Sequence, residues 1–143
     1  MLKFGTSVTI NRPPEDVFSF VANFENEPKY QREVEVTTKT SEGPIGIGTT
    51  FRDVVRVMGL RLESTYEIIE YEPSRSLAIK ILKGQAPFTA RYTFTDVDGR
   101  TELGFSADVY PTGVLRLVQP LLQLRLQRQF EGNFNRLREI LES

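Results

Sequence analysis

Residues 112–143 read TGVLRLVQPLLQLRLQRQFEGNFNRLREILES, and where their apolar side chains fall decides what the rest of the chain must do. On a helix, Val114, Leu115, Leu117, Val118, Leu121, Leu122, Leu124 and Leu126 occupy more angles than the one stripe a surface helix needs. From Phe130 onward the pattern narrows to Phe130, Phe134, Leu137 and Leu141, spaced by three or four as a single core-facing stripe should be. The reading predicts one helix over 112–143, roughly 45 Å long at about 1.5 Å per residue. A sheet wrapped around it is the natural partner, and something more must cover the extra faces of its first half. Pro120 removes a helical hydrogen bond there and predicts a kink.

Upstream, the pattern is that of strands. Phe4, Thr6, Val8 and Ile10 alternate with Lys3, Gly5, Ser7 and Thr9, the period of a half-buried strand. Asn11-Arg12-Pro13-Pro14-Glu15-Asp16 then places prolines in a first turn and acids at the positive end of a helix. That helix runs through Val17, Phe18, Phe20, Val21 and Phe24, and a second short helix or turn follows over 25–30. From Val34 to Tyr110 the period is two, with breaks at 43–48, Gly59, 72–74, 84–87 and 98–99 that delimit six more strands. Hairpin spacing and the Asp98-Gly99 turn make them an antiparallel meander, because parallel strands would need helical crossovers. Phe51, Val55 and Val57 share one face; so do Leu62, Tyr66 and Ile68, and Leu77, Ile79 and Ile81. The opposite face carries Arg52, Arg56, Arg61, Glu63, Glu67 and Arg91, whose charges can pair across strands.

Composition sets outer limits. The 143 residues are 39% hydrophobic and 26% charged, as expected of one globular domain spanning residues 1–143. Eighteen basic and 19 acidic residues leave a net charge of −1, so no global field favours nucleic acid or an anionic membrane. There is no histidine and no cysteine, which removes thiol nucleophiles, imidazole bases, disulfides and the usual zinc sites; no metal or cofactor is expected. The amino-terminal strand pattern lacks the apolar core of a signal peptide, and no segment has the length of a membrane span, so a cytoplasmic protein without integral membrane association is expected. Gly46-Ile47-Gly48 lacks the strand-to-helix context of a phosphate loop.

Several local signatures, in order, resemble one family across nearly the whole chain. They are Ile10-Asn11-Arg12-Pro13-Pro14-Glu15-Asp16-Val17-Phe18 after strand one, Gly46-Ile47-Gly48-Thr49 before strand three, and Tyr71-Glu72-Pro73 closing strand four. Gly99-Arg100-Thr101 opens the last strand, and Leu137-Arg138-Glu139-Ile140-Leu141-Glu142 ends the chain. Together with the element order they resemble the polyketide cyclase/dehydrase-like branch of the START and Bet v 1 superfamily (SRPBCC). The resemblance implies an α+β helix-grip fold, in which a curved seven-stranded antiparallel sheet grips a long C-terminal helix around an apolar cavity, with two short helices between strands one and two. It implies no single activity, since members carry lipids, bind hormones, sequester metabolites or cyclise polyketides. A tryptophan common after the short helices of many relatives is absent, and Tyr30 stands at that place.

Alternation puts a set of side chains inside the grip: Phe20, Phe24, Tyr30, Phe51, Asp53, Ser64, Tyr66, Phe88, Tyr92 and Phe105, with Leu115, Leu122, Leu126 and Phe130 from the helix. Inward apolar residues are more often core than ligand contacts. Asp53 differs, because a carboxylate on the face of Phe51, Val55 and Val57 needs a partner or a raised pKa. It is either a polar anchor or general acid/base in the cavity, or a strand irregularity turns it to solvent. Tyr66 and Tyr92 offer hydroxyls to a ligand oxygen, and Arg125 joins them only if helix rotation brings it to the cavity mouth.

Two function classes follow. The favoured one is binding or transport of a hydrophobic small molecule such as a lipid, isoprenoid, quinone or polyketide in a preformed cavity. The alternative is a cyclase or dehydratase in which Asp53, Tyr66 and Tyr92 supply acid–base groups without metal. For the apolar half of the helix, covering the cavity mouth beside a mobile 84–87 loop competes with a homodimer interface or membrane-surface contact. A protein-interaction domain built on that surface is the third possibility and implies a small or filled cavity.

Overall fold

The computed structural model describes residues 1–57, 59–84 and 86–143. Strand β1 (Leu2–Ile10) buries Leu2, Phe4, Val8 and Ile10, as its alternation requires. Helix α1 (Pro14–Ala22) has proline in its first turn with Glu15 and Asp16, and buries Val17, Phe18, Val21 and Ala22. It ends before its apolar pattern does, and a 3-10 helix (Phe24–Lys29) takes over. Six strands follow: β2 (Val34–Lys39), β3 (Thr50–Val57), β4 (Leu60–Glu72), β5 (Ser76–Lys83), β6 (Phe88–Val97) and β7 (Arg100–Val109).

All neighbours in the sheet are antiparallel, in the order β1-β7-β6-β5-β4-β3-β2. Asp98 (φ 54°) and Gly99 (φ 83°) both adopt the left-handed backbone of a two-residue hairpin turn, which pairs Val97 with Arg100. Register shifts at Val34/Val36 in β2 and at Ile68/Glu70 in β4 add the bulges that bend a sheet into a half-barrel. On the convex face the expected charge pairs form: Arg52 with Glu63 and Arg56 with Glu35, each at 2.5 Å, and Arg91 with Glu70. Exposed pairs of this kind contribute about 0.2–1 kcal/mol each.

The carboxy-terminal segment differs from the expected single helix. It divides into α2 (Val114–Leu117) and α3 (Gln119–Glu142), with Val118 at φ −114° between them. Pro120 therefore sits in the first turn of α3, where its missing N–H costs nothing, and the helix breaks ahead of it instead of kinking around it. Side chains of α3 bond the free edge of β1: Gln123 Nε2 donates to the Lys3 carbonyl at 3.1 Å and Gln127 Nε2 to the Gly5 carbonyl at 2.9 Å. Its far end is held by the Arg12 guanidinium on the Leu141 carbonyl (2.9 Å) and by Glu142 accepting from the Asn11 amide (2.7 Å).

Leu115 and Leu122 face inward and are buried, but Val114, Leu117, Leu121 and Leu124 remain exposed, Leu117 by 82%. No element of the described residues covers those outer leucines. Gln85, in the loop expected to meet them, lies outside the described residues, and its neighbour Ala86 faces the interior cavity. Among the described residues no helix is long and apolar enough to cross a membrane.

Candidate ligand cavity and its buried carboxyl groups

Between the concave face of the sheet and α3 lies a cavity of about 150 Å³. Its apolar wall comes from alternate positions of the central strands, among them Ile79, Ala90, Phe105 and Ala107, and from Leu126, Phe130 and Phe134 of α3. Alanines at 90 and 107 leave the room that larger residues at those inward positions would fill. A dry cavity of this size accommodates roughly one aromatic ring, by analogy with engineered apolar cavities of about 150 Å³.

Of the residues expected inside the grip, Asp53, Ser64, Tyr66, Phe88, Tyr92, Phe105, Leu126 and Phe130 line the cavity. Phe24, Tyr30, Phe51, Leu115 and Leu122 do not: each is at most 1% exposed and is packed in the surrounding core. Phe24 shows why, since its ring is enclosed by Phe51 at 5.3 Å, Tyr66 at 5.5 Å and Tyr92 at 6.0 Å, leaving no face for a ligand. Phe20 packs against Tyr30 and is likewise no liner. Arg125 is exposed, away from the cavity wall.

Asp53 resolves in favour of the inward alternative. It is 6% exposed, and its Oδ1 accepts a hydrogen bond from the Ser64 hydroxyl directly across β3 and β4. Burial pushes its carboxyl up to about 6, against the opposing pull of Ser64 and of Arg52 on the convex face.

The residue that alternation did not find is Glu27. It sits on the 3-10 helix, is 7% exposed and lines the cavity. Its Oε1 accepts from the Tyr66 hydroxyl and its Oε2 from Gln31 Nε2 at 2.7 Å. Burial, reinforced by the nearby Asp53, pushes the Glu27 carboxyl up to about 8, even though both hydrogen bonds favour its charged form. Nothing in Glu25-Asn26-Glu27-Pro28-Lys29 resembles a buried stretch, and neither a period of two nor 3.6 gives a 3-10 residue a face. The one usable signal was Gln31, four residues on, a neutral partner for a desolvated carboxyl.

Further polar groups complete the wall. Glu33, also raised by burial, accepts from Asn133 Nδ2 at 2.6 Å; Arg136, behind the wall and not part of it, donates to the Tyr30 carbonyl. Tyr66 and Tyr92 are held well above the usual phenol range, first by burial, so their hydroxyls stay protonated donors. Gln129 Oε1 is a buried acceptor without a hydrogen-bond partner. Among the described residues no arginine or lysine lines the cavity. Both carboxyls are therefore raised, Glu27 further than Asp53, the kind of divergence from which acid and base roles are built.

Comparison with known proteins matches this architecture to a family. Residues 1–142 fit the family described as polyketide cyclase/dehydrase and lipid transport. The chain belongs to that family. Among solved structures, a protein from Thermus thermophilus is 20% identical with a TM-score of 0.85, over 97% of this chain and 96% of its own. The Zhui aromatase/cyclase from a Streptomyces species is 17% identical with a TM-score of 0.84, over 98% and 93%. A START superfamily protein from Mycobacterium smegmatis is 15% identical with a TM-score of 0.81, over 99% and 98%. At these identities the polyketide cyclase/dehydrase and lipid transport family shares with them the helix-grip fold. No curated protein sequence matches the chain.

Proposed function

We propose that this protein binds a hydrophobic small molecule in the cavity between sheet and α3. The observation that carries the reading is a preformed, mainly apolar cavity in which Gln31, Glu27 and Tyr66 form one hydrogen-bonded set and Ser64 and Asp53 another, the pattern of a site that orients an apolar ligand. A lipid, isoprenoid, quinone or polyketide would place one ring-sized portion inside and leave the remainder at the mouth. Native mass spectrometry of the purified protein, with extraction of whatever it retains, tests this. A stoichiometric apolar adduct is expected; an empty protein that binds no member of a panel of lipids, quinones and aromatic polyketides would refute the reading.

The acid–base pair favours a second reading, a cyclase or dehydratase. In it Glu27, hydrogen-bonded to Tyr66, would protonate a carbonyl or leaving hydroxyl, and Asp53 would take a proton from carbon. This reading moves the general acid from the tyrosines to Glu27. Single Glu27→Gln and Asp53→Asn variants are each expected to cut turnover of an aromatic polyketide mimic by about 10²–10⁴-fold with ligand binding retained. Unchanged turnover in both would remove it.

The exposed leucines support a homodimer through α2 and the start of α3. Its expected signature is the mass of two chains at micromolar concentration, returning to one chain in Leu117→Glu; a single-chain mass at every concentration contradicts it.

A further inference from the structure

Beside the cavity, a surface depression is formed by the chain leading into β2, by β3 and by the middle of α3. Glu33, Gln129 and Asn133 line both the depression and the cavity, so the two spaces adjoin across that wall. Four arginines surround the depression: Arg32, Arg56, Arg128 and Arg136. Arg56 is paired with Glu35, and Arg136 is engaged by the Tyr30 carbonyl and, at 3.3 Å, by Asn133 Oδ1. No carboxylate pairs with Arg32 or Arg128 among the described residues. The only acid on the wall among those residues is Glu33, which accepts from Asn133 and is drawn electrostatically to Arg136, so it leaves Arg32 and Arg128 without an acid partner. Like charges gathered at one depression repel unless an anion sits among them, and a planar guanidinium suits phosphate or carboxylate oxygens.

Gly132 is a second, independent sign. It lies inside α3, where glycine weakens a helix relative to alanine. Packing does not require it, since a Cβ built there meets nothing within 4 Å. It lines the arginine depression, and its bare backbone keeps that floor open.

We propose that this depression binds the anionic head group, a phosphate or carboxylate, of the same molecule whose apolar body fills the cavity. The inference rests on the cavity reading above and adds the ligand's class and orientation. The interior supplies carboxyl groups and no cation among the described residues, so an anion is repelled from it, while the arginines hold the head outside. The cavity takes roughly one ring, so a larger ligand must protrude, and a head group leaving past Glu33, Gln129 and Asn133 would lie beside Arg32 and Arg128.

Calorimetric titration with 2-naphthol, 2-naphthyl phosphate and inorganic phosphate tests both levels. The naphthyl phosphate is expected to bind at least about tenfold more tightly than naphthol, an advantage that shrinks with added salt. Arg32→Gln/Arg128→Gln should abolish that advantage and leave naphthol affinity unchanged. Gly132→Ala should raise the melting temperature while weakening only the phosphate ester. Equal affinity of ester and alcohol, or an advantage that survives the double substitution, overturns the head-group site and leaves the cavity reading standing. Inorganic phosphate binding as tightly as the ester, with naphthol failing to bind, shows an anion site without a joined cavity and overturns the proposal. Failure of all three removes the head-group site and the cavity reading together.

Discussion

Phe134→Ala is expected to destabilise the fold by about 3–5 kcal/mol, the range for removing a buried phenyl group from a close-packed interior. Phe134 is 3% exposed and meets Phe105 at 4.9 Å, Tyr92 at 6.2 Å and Tyr30 at 6.5 Å between ring centres. With Phe130, which meets Phe105 and Phe4, it joins α3 to the aromatic cluster on the sheet. Because Phe134 also lines the cavity, its loss enlarges that space instead of leaving a sealed void. Urea unfolding should show the midpoint falling with little change in slope. A loss under about 1 kcal/mol would mean that the end of α3 does not depend on this contact.

A stability that declines as the pH rises toward 8 is the second large effect. Folded Glu27 keeps its proton up to about 8, whereas its ordinary value is 4.5. Between those values the folded state binds more protons than the unfolded state, so raising the pH removes stability. Asp53 acts in the same sense between its ordinary 3.8 and about 6, and Glu33 shares the direction. Tyr66, Tyr30 and Tyr92, which face Glu27, remain neutral throughout this window. Glu70, lowered first by its hydrogen bond from Arg91, works the other way below its ordinary value, but it lies at the screened surface. At about 1.4 kcal/mol per pH unit, Glu27 sets an upper bound of roughly 4–5 kcal/mol across the window. Melting temperature should therefore fall steadily from about pH 5 to pH 8, and Glu27→Gln, which keeps a hydrogen-bonding side chain, should remove most of the decline between pH 6 and 8. The same slope in wild type and variant would show that Glu27 does not carry that proton.

The architecture was legible because its signals are periodic. Alternation from Val34 to Tyr110, broken at Gly59 and Asp98-Gly99, marks strands whose register follows from their hairpins, and Ile10-Asn11-Arg12-Pro13-Pro14 marks the strand-to-helix junction. The break at Val118 was not legible. Val114 to Leu126 carries apolar residues at nearly every helical angle, so periodicity could not show a change of phase, and Pro120 is equally compatible with a kink or a new first turn. Asp53, Ser64 and Tyr66 were found since a strand gives every residue a face. Glu27 was missed because a 3-10 helix gives none. Phe24 and Phe51 point inward as read, but inward means core or cavity according to how completely neighbouring rings enclose a side chain, and that is a property of packing alone.

Titration of the protein with 2-naphthol, followed through its ¹³C-methyl resonances, shows where an apolar ligand binds. If the cavity is the ligand site, saturable shifts should appear at Ala90, Ala107, Val109 and Leu126, which line it, and not at the exposed Leu117 and Leu121. Silence at the cavity methyls, or shifts confined to the exposed leucines, would contradict the account and relocate binding to the outer face of the helix.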